Sequence, residues 1–235
     1  MSVDVPIAIA QIPYPPEHLE DLKLIGPLII SSMERDGLPM DRGSIRLNKL
    51  EPKQEVAYFY FGWVAESNGV IENLNLTLHD LRSLPKTFQV LGGSPWSRYE
   101  LLVRVFFHEF YRLREVFNTV MSACVKRGYL DKQELAVARE AFHGVIEQAI
   151  ELRNSVVHGS PSWRGQEHFD LNLASIVHGR GSTLVHKETG EEFSVEVALE
   201  RACNKMATIL QKEGEVAAEV MSAFIRDTVG ITREA

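Results

Sequence analysis

The stretch Leu152-Arg153-Asn154-Ser155-Val156-Val157-His158-Gly159 sets a guanidinium, a carboxamide and an imidazole close together. Arginine is a permanent cation whose planar fork of donors matches phosphate and carboxylate oxygens. Histidine titrates near neutrality and can take up or release a proton. A plain structural explanation exists as well, because cations near a helix C-terminus are favoured by the helix dipole by roughly 0.3–1 kcal/mol. On a continuous helix Arg153 and His158 would lie about 140° apart with a rise of ~7.5 Å, so they would not share a face. Asn154 and His158, at i and i+4, would. Convergence of Arg153 with His158 therefore needs the helix to stop at His158, as Gly159 and Pro161 indicate, or a second chain to complete the site. Across a two-fold axis the same helix ends can meet in one cleft.

Other constellations carry less. Glu140-Ala-Phe-His143 has the Glu-x-x-His spacing of di-metal carboxylate bundles, which need a second such motif and two further inward-facing glutamates. No second motif is present, so a helix surface is expected and no metal is assigned. His178 and His186 flank Gly179-Arg180-Gly181 without a third ligand, and that glycine pair lacks the strand–turn–helix setting of a phosphate loop. His108-Glu109 reads as a partly buried polar pair on an apolar helix, with an orientation toward the groove of Arg153 and His158 left open. No nucleophile elbow or Walker segment occurs.

The bulk properties bound the class. The chain has 235 residues, 45% of them apolar and 24% charged, enough to bury a core without disulfides or a structural metal. A net charge of −7 argues against a surface coated in basic groups for non-specific nucleic-acid binding, but says nothing of a local basic cleft. Cys124 and Cys203 fall in apolar helical patterns and read as buried thiols in a reducing compartment. The N-terminus lacks the basic leader of a signal peptide, and the apolar run Val56 to Ala65 is far short of the ~18 residues of a membrane span. A soluble cytoplasmic protein with no membrane association is expected.

The elements that must position these residues read as mainly α. Residues 1–16 form a Pro-rich lead-in. Glu17 to Arg35 reads as a helix, with a kink or break at Gly26-Pro27, and 38–54 as loop. The aromatic run 56–65, Asn68-Gly69 and the alternation of Leu74, Leu76 and Leu78 predict a β-hairpin, with a buried helix over 55–66 as the alternative. A short helix over 80–90, interrupted at Pro85, follows. Gly92-Gly93-Ser94-Pro95 then leads into a wide apolar helical face from Ser97 to Lys126 that includes Leu101, Val105, Phe106 and Phe117. Asp131 and Glu134 form a capping box for a helix running to about Val157, antiparallel to its predecessor because the link at 128–130 is short. Residues 168–193 show strand character, with a turn at Thr189-Gly190. Ser194 caps a last helix weakened at Gly214. The reading is a bundle of about four helices over 97–235, with an N-terminal helix and β-hairpin arm over 1–96 packed on it and a second hairpin inserted at about 168–193.

In this setting the Arg153–His158 segment resembles the signature of the HEPN family: an arginine, a polar residue, three more residues and a histidine, at the end of a bundle helix preceded by a long antiparallel one. The resemblance covers about 97–226, with 168–193 as an insertion, and leaves the N-terminal arm unaccounted for. It implies a HEPN-like four-helix bundle that dimerises. Many such proteins are metal-independent endoribonucleases of toxin–antitoxin, antiviral or RNA-processing systems; others are non-catalytic modules that bind a nucleotide or a partner protein. Carried over, Arg153 and His158 are the catalytic pair and Asn154 a polar helper, with no cofactor. RNA is the implied substrate, and an antitoxin or other regulatory protein a further partner. The chemistry fits these types: the 2′-OH must lose a proton, the leaving oxygen must gain one, and charge on the phosphorane must be stabilised. Lys126, Arg127 and Arg164, expected near the same helix ends, are the candidates for guiding RNA.

Overall fold

A computed structural model describes residues 8–36, 50–157, 165–185, 190 and 192–234. They form α1 (Leu19–Asp36), α2 (Pro52–Leu91), α3 (Pro95–Lys126), α4 (Lys132–Val157), α5 (Gln166–His178), β1 (Leu184–Val185), β2 (Glu192–Phe193) and α6 (Val195–Glu234). The mainly helical class is as expected, and the strands pair in a single two-stranded antiparallel ladder, Leu184 opposite Phe193 and Val185 opposite Glu192.

The expected N-terminal hairpin is instead the 40-residue helix α2. Its buried positions include Tyr60, Trp63, Val64, Ser67, Val70, Ile71, Leu74, Leu78 and Leu81, recurring every three or four residues, while Leu76 is 43% exposed. A helical stripe therefore wins over the alternation of leucines, and the buried-helix alternative for 55–66 extends along the whole segment. Asn68-Gly69, read as a turn, lies inside this helix. Pro85 is tolerated within it, and α1 likewise runs unbroken through Gly26-Pro27.

Residues 168–173 belong to α5 rather than to a strand. His168, Leu171, Ala174 and Ser175 are buried at helical spacing, whereas Phe169 and Leu173, which suggested alternation, are exposed. A hairpin before the last helix does exist, reduced to two residues per strand, with Gly190 in the left-handed region at φ +70°.

The remaining helices follow the sequence closely. Asp131 caps α4 by accepting from Gln133 N at 2.7 Å and Glu134 N at 2.8 Å, and Glu134 returns a bond from Asp131 N at 2.6 Å. Gly128, at φ +75°, ends α3. The Ser194 hydroxyl accepts from Val197 N at 3.4 Å at the start of α6. One continuous apolar core unites α2, α3, α4, α5 and α6. Leu101 and Val105, counted with the apolar face of α3, lie on its exposed side.

An extended segment, residues 8–15, lies along this bundle with Ile9 and Ile12 buried. Two asparagines seven residues apart on α2 hold its backbone. Asn75 Oδ1 accepts from Ala8 N at 3.1 Å and Ile9 N at 2.8 Å, and Asn75 Nδ2 donates to Ile9 O at 2.9 Å. Asn68 does the same for Ile12, accepting its N–H at 2.7 Å and donating to its carbonyl at 2.9 Å. Positions i and i+7 fall on one helix face, so the two carboxamides form a ladder for an otherwise unpaired strand. α6 comes up against this segment at Gly214, where an added Cβ would sit 2.3 Å from Ile9 Cδ1.

Candidate functional site

Arg153 and Asn154 lie toward the C-terminal end of α4, and Asn154 is exposed. His158, Gly159, Pro161 and Arg164 lie outside the described residues, and with them the expected stop of the helix at His158. The register of α4 against α3 is fixed by side chains. Arg139 Nη2 donates to Ser122 Oγ at 2.8 Å, and Arg114 Nε donates to His143 Nε2 at 3.3 Å. As α3 rises from Ser122 back to Arg114, α4 advances from Arg139 to His143, so the helices are antiparallel and the end of α4 is directed toward the start of α3.

This arrangement separates two groups that the sequence placed together. Lys126 and Arg127 are exposed where α3 ends, beside the first residues of α4. Arg153 stands 21 residues beyond Lys132, about 30 Å along the helix. Within one chain the two basic residues are therefore at the opposite end of the pair from Arg153 and Asn154. Arg127 instead lies over the Phe59 ring, 4.9 Å from its centroid.

At the start of α3, Trp96 and Tyr99 pack on His168 of α5, with ring centroids 4.1 and 5.2 Å apart. Tyr99 and His168 are buried, and burial, followed by the nearby Cys203 thiol and Glu167 and Glu100 carboxylates, holds the Tyr99 hydroxyl well above its ordinary pKa. A cavity of about 110 Å³ beside them is lined by Glu167, Lys205 and Met206. Lys205 Nζ donates to Glu167 at 2.6 Å, and that bond is the main reason Glu167 titrates below the usual carboxylate range. The strand expected over 168–173 hides this cluster, which depends on that segment being the helix α5. The i, i+3, i+6 spacing of His168, Leu171 and Ala174 is the signal in the sequence, and all three are buried.

The other candidates take structural places. Glu109 accepts from Asn73 Nδ2 at 2.9 Å and Arg112 Nη1 at 2.8 Å, which ties α3 to α2, while His108 is exposed. Glu140 is exposed, and His143 is engaged by Arg114. His178 packs edge-on against Phe88 at 6.3 Å; His186 lies outside the described residues. Among the described residues no group of three or more His, Cys, Asp or Glu side chains is placed to hold a metal ion, and no helix is long and apolar enough to cross a membrane. Cys124 and Cys203 are buried, unpaired thiols.

Comparisons with models of protein families, with characterised proteins and with solved structures give no match.

Proposed function

We propose that this protein is a metal-independent endoribonuclease of the HEPN kind, acting as a homodimer through the end of α4. The observation that carries the reading is the position of Arg153 and Asn154 near the end of the 26-residue helix α4, antiparallel to the long helix α3. In this reading the α4 ends of two chains face one cleft. His158 of each chain takes one of the two proton-transfer roles at the 2′-OH and the leaving oxygen. Arg153 offers its fork to the developing phosphorane charge, and Asn154 orients the histidine or holds a phosphate oxygen. A toxin or antiviral defence effector, restrained by a partner protein, is the biological role that fits such an enzyme.

The test is cleavage of RNA by the purified protein in the presence of EDTA. Products ending in 2′,3′-cyclic phosphate are expected, and an RNA with 2′-deoxy sugars should resist. The net charge of −7 and the large N-terminal elements favour a second reading, a non-catalytic module that binds a nucleotide or a partner protein. A stable dimer that cuts no RNA but binds a nucleotide saturably would establish that reading instead.

A further inference from the structure

On the outer seam between α3 and α4, two guanidiniums gather around one imidazole. Arg114 donates from Nε to His143 Nε2 and lies over the Tyr111 ring, 5.4 Å from its centroid. Its terminal nitrogens make no hydrogen bond to the described residues. Arg139, one turn before His143, donates from Nη2 to Ser122 Oγ and to the Asn118 carbonyl at 3.4 Å. Its Nε is buried and has no acceptor among the described residues.

Neither arginine is paired with a carboxylate among the described residues. Two other cations of the chain meet acids, Arg112 with Glu109 at 2.8 Å and the exposed Lys205 with Glu167 at 2.6 Å, while the half-buried Arg98 is satisfied by backbone carbonyls. Here every protein acceptor is neutral: a hydroxyl, a carbonyl and the lone pair of an imidazole. For Nε2 to accept from Arg114 it must carry no proton. The imidazole is held neutral by partial burial and by the two guanidiniums, against the pull of the exposed Glu115. Two guanidiniums whose only hydrogen-bond acceptors are neutral, with one exposed carboxylate nearby at Glu115 and the terminal donors of Arg114 without a partner among the described residues, suit an oxyanion.

The position of the site indicates which one. His143 and Asn154 are eleven residues apart on α4, which places them within about 20° of one face and ~16 Å along it. Arg139 extends the same stripe by one turn. We propose that Arg114, Arg139 and His143 form a phosphate-binding site for the backbone of single-stranded RNA, held along α4 toward Arg153 and Asn154. The choice of RNA as the phosphate donor rests on the ribonuclease reading. At ~3.4 Å per stacked nucleotide, the stretch from His143 to Asn154 spans roughly five nucleotides. Local clusters of this kind are how an acidic chain holds a polyanion without a generally basic surface.

The experiment is a fluorescence-anisotropy titration of a short labelled oligouridylate in EDTA, with His158→Ala as the background so that the RNA is not consumed. Arg114→Gln and Arg139→Gln are each expected to weaken binding roughly tenfold and to flatten the salt dependence by about 0.7 in log K against log salt, the loss of one phosphate contact on a single strand. Arg139→Lys should keep the salt slope while losing part of the affinity. The half-buried Arg114 can be replaced without opening the core, so an unchanged melting temperature in Arg114→Gln separates lost contact from lost fold. Equal affinity and salt slope in both glutamine variants would overturn the site, as would absence of RNA binding or a preference of the site for an acidic peptide. If the wild-type protein cuts no RNA yet oligouridylate binding still depends on both arginines, the ribonuclease reading falls and the phosphate site stands. If it cuts RNA and both variants bind like the parent, the outcome is reversed.

Discussion

Arg114 of α3 donates a hydrogen bond from Nε to Nε2 of His143 of α4, 3.3 Å away, so the imidazole serves as an acceptor between two cations. Burial, and then the charges of Arg114 and Arg139, hold the pKa of His143 below its ordinary value, with Glu115 acting in the opposite sense. The unfolded chain takes up this proton near pH 6.5, while the folded chain does so only at lower pH. The unfolded state therefore binds more protons in that interval, and stability rises with pH through it. The benefit of a neutral His143 is complete above about pH 6.5 and is lost as the pH falls below it. Urea midpoints measured from about pH 7.5 to about pH 5.5 should fall more steeply for wild type than for His143→Gln, which keeps an acceptor and does not titrate. Parallel curves would show that the imidazole is not held neutral.

The N-terminal segment depends on Asn75. This 7%-exposed carboxamide satisfies the N–H groups of Ala8 and Ile9 and the carbonyl of Ile9. Asn75→Ala leaves those groups without a partner and should cost about 2–3 kcal/mol. Loss of amide-exchange protection at Ile9 and Ile12, ahead of global unfolding, is the accompanying signature. Retained protection there in the variant would mean that apolar burial alone holds the segment.

Gly214 and Ile9 should be energetically coupled. Alanine at 214 gains ~1 kcal/mol of helix propensity, but its Cβ would fall 2.3 Å from Ile9 Cδ1 and 3.1 Å from Ile9 Cγ1. Overpacking of that kind costs about 1–3 kcal/mol. Gly214→Ala alone is expected to destabilise by about 1 kcal/mol, and in an Ile9→Val background, where Cδ1 is gone, to stabilise. Additive single and double variants in thermal unfolding would show that Ile9 does not occupy this space.

Both thiols should be silent in the folded protein. Burial pushes Cys124 and Cys203 up to about 12, with Arg127 offsetting part of the effect at Cys124. The thiolate is the reactive form, so a chromogenic disulfide reagent at pH 8 should find neither cysteine until denaturant is added. Rapid stoichiometric labelling of either thiol in native buffer would contradict this burial.

The sequence was most legible where one apolar face is broad and the caps are local. The capping box of Asp131 and Glu134 and the stop at Gly128 place the α3–α4 hairpin directly. In α2 the aromatic run and Asn68-Gly69 satisfy strand and turn preferences over short windows, yet the segment is helical throughout. What decides the helix is distant: burial of Tyr60, Trp63 and Leu74 in the shared core, and the use of Asn68 to clamp the backbone of Ile12. In the candidate site, the spacing of Arg153, Asn154 and His158 is visible in one dimension. The meeting of Arg114 with His143 is not, because it depends on the register between two helices. The same register carries Lys126 and Arg127 away from Arg153, so proximity to a helix end was the wrong guide.

Cleavage of RNA by Arg153 and His158 is a proposed activity. Its most direct test is the initial rate of RNA cleavage in EDTA for wild type, Arg153→Ala and His158→Ala, each first shown to melt as the wild type does. General acid–base catalysis contributes roughly 10²–10⁴-fold, and loss of one preorganised charge contact at the reacting phosphate costs roughly 10²–10³-fold. Wild-type cleavage to 2′,3′-cyclic phosphate ends is expected, with losses of that order in both variants. Cleavage at the wild-type rate in both variants would contradict the proposal.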